Sequence, residues 1–404
     1  VWYDVWPWLL GALVLFLGGM ALFLALRRPR PLPEADLHER GLERWLAGDL
    51  AGARDLMHEA VRLEPHRSDP YLHLGVLLRL TGEPGRAAAL HRSLTVRPDL
   101  QPGRRIVVSL ELAADLVDLK RWSEADDVLS QLGPLAAEDE RWYRLRFATA
   151  VGRQDNDAAL AALRGGEKKL SETSAAKLRA LRAAWLTDRA LQAYRRGAHE
   201  RARDILSKAR DLSPAAGRVL LVRALLAAAD RDAELAVKTV AEGLASYPDE
   251  MAPALGLLEG VLLDTGRFTR VIPILEEVCR DSSAPPVLWM ALARLYEKLD
   301  RRDDAVRLLA TKRGDPRLTP DAAAPYLRLL TVEHPDAAFS RVWNLLSAPG
   351  AGRGFRCRTC GRRELEIRWF CTDCLSPDSF APAGYAPPAP AAAAPALPAS
   401  PPRY

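Results

Sequence analysis

Catalytic signatures are missing from this chain, and their absence narrows its function before any pattern is read. The 404 residues hold only seven histidines, His38, His58, His66, His73, His91, His199 and His334, with no H-E-x-x-H run and no cluster near cysteine. They read as surface or packing residues rather than as a zincin site. No G-x-S-x-G elbow, kinase set or phosphate loop occurs. Gly350, Gly352 and Gly354 open onto a cysteine-rich stretch instead of joining a strand to a helix, so they read as a hinge. Aromatic residues make up only 7%, which argues against a β-rich architecture. Blocks of one charge are lacking too: the formal net charge of +5 comes from 57 basic residues interleaved with 52 acidic ones. That pattern suits a solvated helical surface and gives no basic stripe for nucleic acid.

What is present points to helices. Alanine, leucine and arginine dominate, and 49% hydrophobic residues is enough to bury a sizeable core, so the expected fold class is all-α. The first strong local signal is Val5 to Leu26, an unbroken run without a charge. Roughly 20 apolar residues cross a bilayer as a helix, and this run is long enough. Trp2, Tyr3, Trp6 and Trp8 crowd its start, as amphipathic rings do at a membrane interface, and Arg27, Arg28 and Arg30 follow its end. The asymmetry predicts a single-pass transmembrane anchor in the inner (cytoplasmic) membrane, with the bulk of the chain in the cytoplasm. A cleaved secretory signal is the competing reading; it lacks support because there is no positive n-region, the apolar run is long, and no A-x-A site precedes the arginines.

Beyond the arginines the sequence repeats with a period near 34, the length of a tetratricopeptide helix-turn-helix. One copy carries Tyr71, Leu74, Gly75, Leu78 and Ala87 with Pro98 at its close, and another carries Trp289, Leu292, Ala293, Tyr296, Ala305 and Leu309. Small residues at Gly75, Ala87, Ala293 and Ala305 would let the two helices of a unit approach closely. Weaker copies keep the register, until residues 166 to 182 hold more than one unit needs. The register resumes at Ala190 and Ala202, and Pro214 and Pro248 then close successive units one full period apart. A poorer copy spans 251 to 284, where Arg270 takes the usual small position. About eight units are expected, forming a solenoid in which alanine and leucine at helical spacing are core and partner binding falls to the groove surface.

The cysteines carry the sharpest chemical signal. Cys357-x2-Cys360-x10-Cys371-x2-Cys374 gathers four of the five into one short segment. Each C-x2-C pair forms a turn that aims two thiolates at one point, and two such knuckles supply the tetrahedral sulfur cage that zinc or iron prefers. Gly361 suits the turn after Cys360, where positive φ is often needed, whereas Leu375 holds the equivalent place in the second knuckle. Disulfides are the alternative use of such spacing, disfavoured in a reducing cytoplasm. Four thiolates leave no open position, so the site is expected to be structural and the protein is not expected to be an enzyme. Cys279, alone in a helix-like segment, reads as a small buried hydrophobe.

These signals divide the chain into an anchor and basic flank at 1–30, a repeat array at 31–318, capping helices at 319–349, a rubredoxin-like metal module at 350–380 and a disordered Pro/Ala tail at 381–404. In that order the chain resembles the lipopolysaccharide assembly protein B family of Gram-negative bacteria. The stretch LGVLLRLTGEPGRAAALHRSL at 74–94 is similar to that family's second repeat, with Arg79, Gly82, Glu83, Arg86, Ala87 and His91 in place. FRCRTCGRRELEIRWFCTDC resembles its rubredoxin-like end, including Arg356, Gly361 and Trp369. Thr372 stands where the family has proline, and the tryptophan that follows its last cysteine is replaced near Phe380.

The resemblance implies a cytoplasm-facing adaptor, its metal module packed on the repeats, that binds the membrane AAA+ protease FtsH and promotes turnover of the deacetylase committing carbon to lipid A. Lipopolysaccharide synthesis would thereby be restrained. A generic membrane-tethered scaffold for envelope or secretion assembly and a rubredoxin-like electron carrier are the rival readings, and homo-oligomerisation stays open.

Overall fold

The computed structural model describes residues 35–213, 216–251, 270–281, 284–311 and 354–382. Residues 35–115 form one compact unit and residues 116–382 belong to another. Both are built from helices laid down in pairs.

In the first unit, α1 (Ala35–Leu46) pairs with α2 (Leu50–Leu63) and α3 (Ser68–Leu80) with α4 (Pro84–Thr95), and α5 (Pro102–Asp118) follows. The second continues with α6 (Trp122–Leu132), α7 (Glu140–Gly152), α8 (Asn156–Lys169), α9 (Glu172–Arg195), α10 (His199–Leu212), α11 (Gly217–Ala229) and α12 (Ala233–Ser246). After a single turn α13 (Pro248–Met251) come α14 (Ile272–Arg280), α15 (Pro286–Lys298) and α16 (Arg302–Thr311).

The turn inside each pair explains the period. The chain reverses through one left-handed residue, at Gly48, Gly82, Lys120, Gln154, Gly197, Arg231 and Asp300, with φ between 57° and 90°. Next to it a backbone amide reaches back five residues, as from Glu83 to Leu78 (2.8 Å), Asp155 to Ala150 (2.9 Å) and Asp232 to Ala227 (2.9 Å). This Schellman-type closure satisfies the last carbonyls of the first helix. The second helix is then often started by an aspartate whose carboxylate accepts from its first turn: Asp49 from Gly52 (2.9 Å), Asp155 from Ala158 (3.0 Å) and Asp232 from Leu235 (3.0 Å). One turn and one cap, repeated, set the register of the array.

Small residues hold the paired helices close. Ala87, Ala293 and Ala305 are buried. A methyl group added at Gly75 would sit 2.3 Å from the ring nitrogen of His91, so only glycine leaves space for that imidazole. The expected small position at Arg270 is instead exposed, its guanidinium 2.7 Å from Glu234. The surplus at 166–182 is absorbed in α9, a helix of 24 residues where its counterparts α7 and α11 have 13. Cys279 is buried in α14 as expected.

Polar groups are buried in the first unit as well. His91, which the sequence left among surface or packing residues, is fully enclosed. Its Nδ1 lies 2.6 Å from an Asp115 oxygen and its Nε2 3.1 Å from the Leu72 carbonyl. Arg79 approaches the other Asp115 oxygen at 3.0 Å and also pairs with Glu111. Burial raises the Asp115 carboxyl above its ordinary range, against the opposing pull of His91 and Arg79. His38 and His73 stack and share a 2.8 Å hydrogen bond, and burial, followed by the neighbouring imidazole, lowers His73 to about 4.

The C-terminal module departs from the all-α rule. Three short strands, β1 (Phe355–Cys357), β2 (Arg363–Glu364) and β3 (Phe380–Pro382), form an antiparallel sheet in the order β2-β1-β3. β3 corrects the expected boundary at 380: Ala381 and Pro382 pair with Arg356 and Phe355, so the module takes in two residues assigned to the tail. Proline is tolerated there because it ends an outer strand, where its missing N–H breaks no ladder. Among the described residues no helix is long and apolar enough to cross a membrane. The span expected at 5–26, the capping helices at 319–349 and the remainder of the tail lie outside the described residues.

Candidate metal centre

Two backbone turns of the same design carry the four cysteines. In the first, the Cys357 amide donates to Arg362 O (2.8 Å) and the Gly361 amide to Cys357 O (2.9 Å); in the second, Cys371 donates to Ser376 O (3.0 Å) and Leu375 to Cys371 O (2.9 Å). The residue after each second cysteine is left-handed, Gly361 at φ 79° and Leu375 at φ 54°. Glycine takes that conformation freely, whereas a leucine there costs about 1 kcal/mol or more. Leu375 is held in place by burial and by the second knuckle's own hydrogen bonds.

The turns bring all four sulfurs together. Cys357, Cys360, Cys371 and Cys374 have their Sγ atoms within 4.8 Å of one another, with 3.6 Å between Cys357 and Cys374 and 3.5 Å between Cys360 and Cys371. A tetrahedron of thiolates about 2.3 Å from a central ion has edges of about 3.8 Å, so these spacings fit a single cation. They do not fit disulfides, whose sulfurs sit about 2.05 Å apart. The donor set, four thiolates and no nitrogen or carboxylate, suits zinc or iron equally.

Amides and hydroxyls surround the sulfurs. Backbone N–H groups of Arg362, of Asp373 and Cys374, and of Ser376 are directed at Cys360, Cys371 and Cys374 respectively. Ser379 Oγ lies 3.3 Å from Cys357 Sγ, and Ser376 Oγ lies 3.3 Å from Cys374 Sγ. The contact shared by the thiols of the second knuckle lowers the Cys374 thiol and, followed by burial, raises that of Cys371. Burial lifts Cys360 to about 11. A bound cation favours all four thiolates at once. Cys357 and Cys371 are buried, Cys374 is partly so, and Cys360 faces solvent.

The module is seated on the repeats of its own unit, at α7, α9 and α11, the first helices of three consecutive pairs. Phe370 packs against the buried Phe147 of α7, with ring centroids 6.0 Å apart, and Phe147 in turn meets Trp185 of α9 at 5.8 Å. Arg144 of α7 donates to the carbonyls of Cys374 (3.0 Å) and Leu375 (3.3 Å), so one guanidinium holds the second knuckle itself. On α9, Asp188 is only 3% exposed; it faces Arg368 at 3.4 Å and accepts from the Trp369 amide. Burial raises its carboxyl to about 6 in spite of those partners. Arg195 pairs with Glu366, and Arg218 of α11, 4% exposed, pairs with Asp378.

All four expected ligands are thus brought together. The anchors Arg144, Asp188, Arg195 and Arg218 carried no signal in the sequence, because their partners lie 160 to 231 residues away and belong to no repeat.

Residues 288–313, which span most of α15 and all of α16, match the tetratricopeptide repeat family. No curated protein matches the chain. Among solved structures, a tetratricopeptide repeat protein from Parabacteroides merdae is similar over 78% of this chain and 98% of its own, at 13% identity and a TM-score of 0.31. Yeast Tom70 is similar over 78% of this chain and 85% of its own, at 13% identity and 0.34. Naa15/Naa10 bound to HypK-THB is similar over 78% of this chain and 53% of that one, at 14% identity and 0.37. At such scores the likeness establishes neither a shared shape nor a shared partner.

Proposed function

We propose that this protein is a non-enzymatic adaptor whose helical repeats bind protein partners and whose metal module is a structural part of that binding platform. The observation that carries the proposal is the seating of the four-cysteine module on α7, α9 and α11 by buried aromatic and charged contacts. Paired helices of this kind present extended surfaces suited to peptides and proteins. A cage of four thiolates, when loaded, supplies cross-linking of the small module and leaves no position for a substrate.

In its finer form the reading follows the family resemblance. The adaptor is anchored by residues 5–26 in the inner membrane with its repeats in the cytoplasm, and it brings FtsH together with the deacetylase that commits carbon to lipid A. Support comes from the order of segments, the quoted matches at 74–94 and 355–374, and the cysteine cage. Deleting the gene and following the deacetylase after synthesis is stopped tests it: the half-life should lengthen several-fold, and an unchanged half-life rejects the regulatory role. Cross-linking in cells that captures envelope or secretion components in place of the protease identifies the generic scaffold instead.

A further inference from the structure

Metal ligands make up much of one buried cluster of the module. Cys357, Cys371 and Phe380 form that cluster, with Phe355 and Cys374 packed against it. The module's strands are two or three residues long. Its other buried side chains include Trp369 and Phe370, the latter packed on Phe147 of the repeats, so a segment this small depends on metal binding for its own internal order. The seat, by contrast, belongs to helices with a core of their own: Phe147, Leu163, Leu178 and Trp185 are buried among the repeats.

The seat also has a definite chemistry. A short run of the module, Arg368-Trp369-Phe370, fills it. The Phe370 ring meets Phe147, the Trp369 amide and the Arg368 guanidinium meet Asp188, and Glu366 just upstream meets Arg195. A buried carboxylate, an aromatic wall and an arginine at one end are what an extended peptide with a basic residue followed by aromatics requires. Asp188 is enclosed with this run seated over it, taking the Arg368 guanidinium and the Trp369 amide from the run beside Gln192 of its own helix.

We propose that the face made by α7, α9 and α11 is a peptide-docking surface that the chain fills in cis with residues 366–370, and that loss of the metal vacates it for an extended partner segment carrying a basic residue followed by aromatics. The metal then sets which ligand the face holds, its own module or a partner.

Full-length protein in detergent, loaded with zinc or stripped with a chelator, tests this with a fluorescent peptide of residues 364–370 as probe. The stripped protein binds the peptide, and the loaded protein binds it about a hundredfold more weakly, because the open face is then a minor state. Replacing the peptide's phenylalanine by alanine, or Asp188→Ala in the stripped protein, weakens binding about tenfold or more. Limited proteolysis of the stripped protein cuts within 354–382 and spares the repeats. Equal peptide binding by loaded and stripped protein, no binding by either, or loss of the helical circular dichroism signal on chelation would each overturn the proposal.

Discussion

The two compact units differ in where the partners of their most deeply buried charges come from. In residues 35–115 the enclosed groups answer one another locally: His91, Asp115, Arg79 and Glu111 come from helices adjacent in sequence. In residues 116–382, Asp188 and Arg218 are completed by Arg368 and Asp378, contributed by a module far downstream in the chain. The first arrangement is finished once three neighbouring helices have formed. The second is finished only when the four-cysteine module is seated on α7, α9 and α11.

Three measurements would break or sharpen that contrast. The largest effect is expected from Cys371→Ser, which removes a buried ligand. The protein should lose its stoichiometric metal, and with it a binding term on the order of 10 kcal/mol that folds the module. Amide exchange should become fast across 354–382 while 35–115 stays protected; a loss of protection in both units would erase the distinction.

Next comes Asp115→Ala, which leaves His91 and Arg79 buried without their shared acceptor. Such removals cost about 3–5 kcal/mol. The urea midpoint of the first unit should fall accordingly with metal content unchanged, and a wild-type midpoint would show that the network is not what holds these helices.

The smallest effect concerns pH. His73 is lowered to about 4 from the ordinary 6.5, first by burial, so the folded state prefers the neutral ring. Its contribution is therefore complete above pH 6.5 and is lost as the pH falls toward 4, by at most about 3 kcal/mol. Urea melts between pH 7 and 4 should show this slope in the first unit, and His73→Gln should flatten it; an unaltered slope would assign the acid sensitivity to other groups.

How much of this was legible in the sequence depends on whether the information was periodic. The helix pairs at 71–98 and 289–309, and the small residues that let them approach, could be read because one spacing recurs. Both knuckles could be read because thiolate geometry fixes the C-x2-C interval. Lys120, Gln154, Arg231 and Asp300 could not be read as left-handed turn residues, since none is the glycine such a turn favours. Nor could the role of His91, because the space it occupies is defined by what Gly75 lacks. Arg144, Asp188 and Arg218 escaped for a different reason: each looks like an ordinary charged residue in an amphipathic helix until its distant partner is in place.

The extra length of α9 has a geometric consequence. Asp188 and Arg195 are separated by close to two full turns, so both look out along one line of the helix. An insertion ahead of them can be accommodated only in whole turns. One added residue swings that line through about 100°, pointing the acid away from its arginine, whereas about two turns' worth brings it nearly back. The helix can lengthen in steps but not by arbitrary amounts, and the cysteine module stays in phase with the array only at those steps.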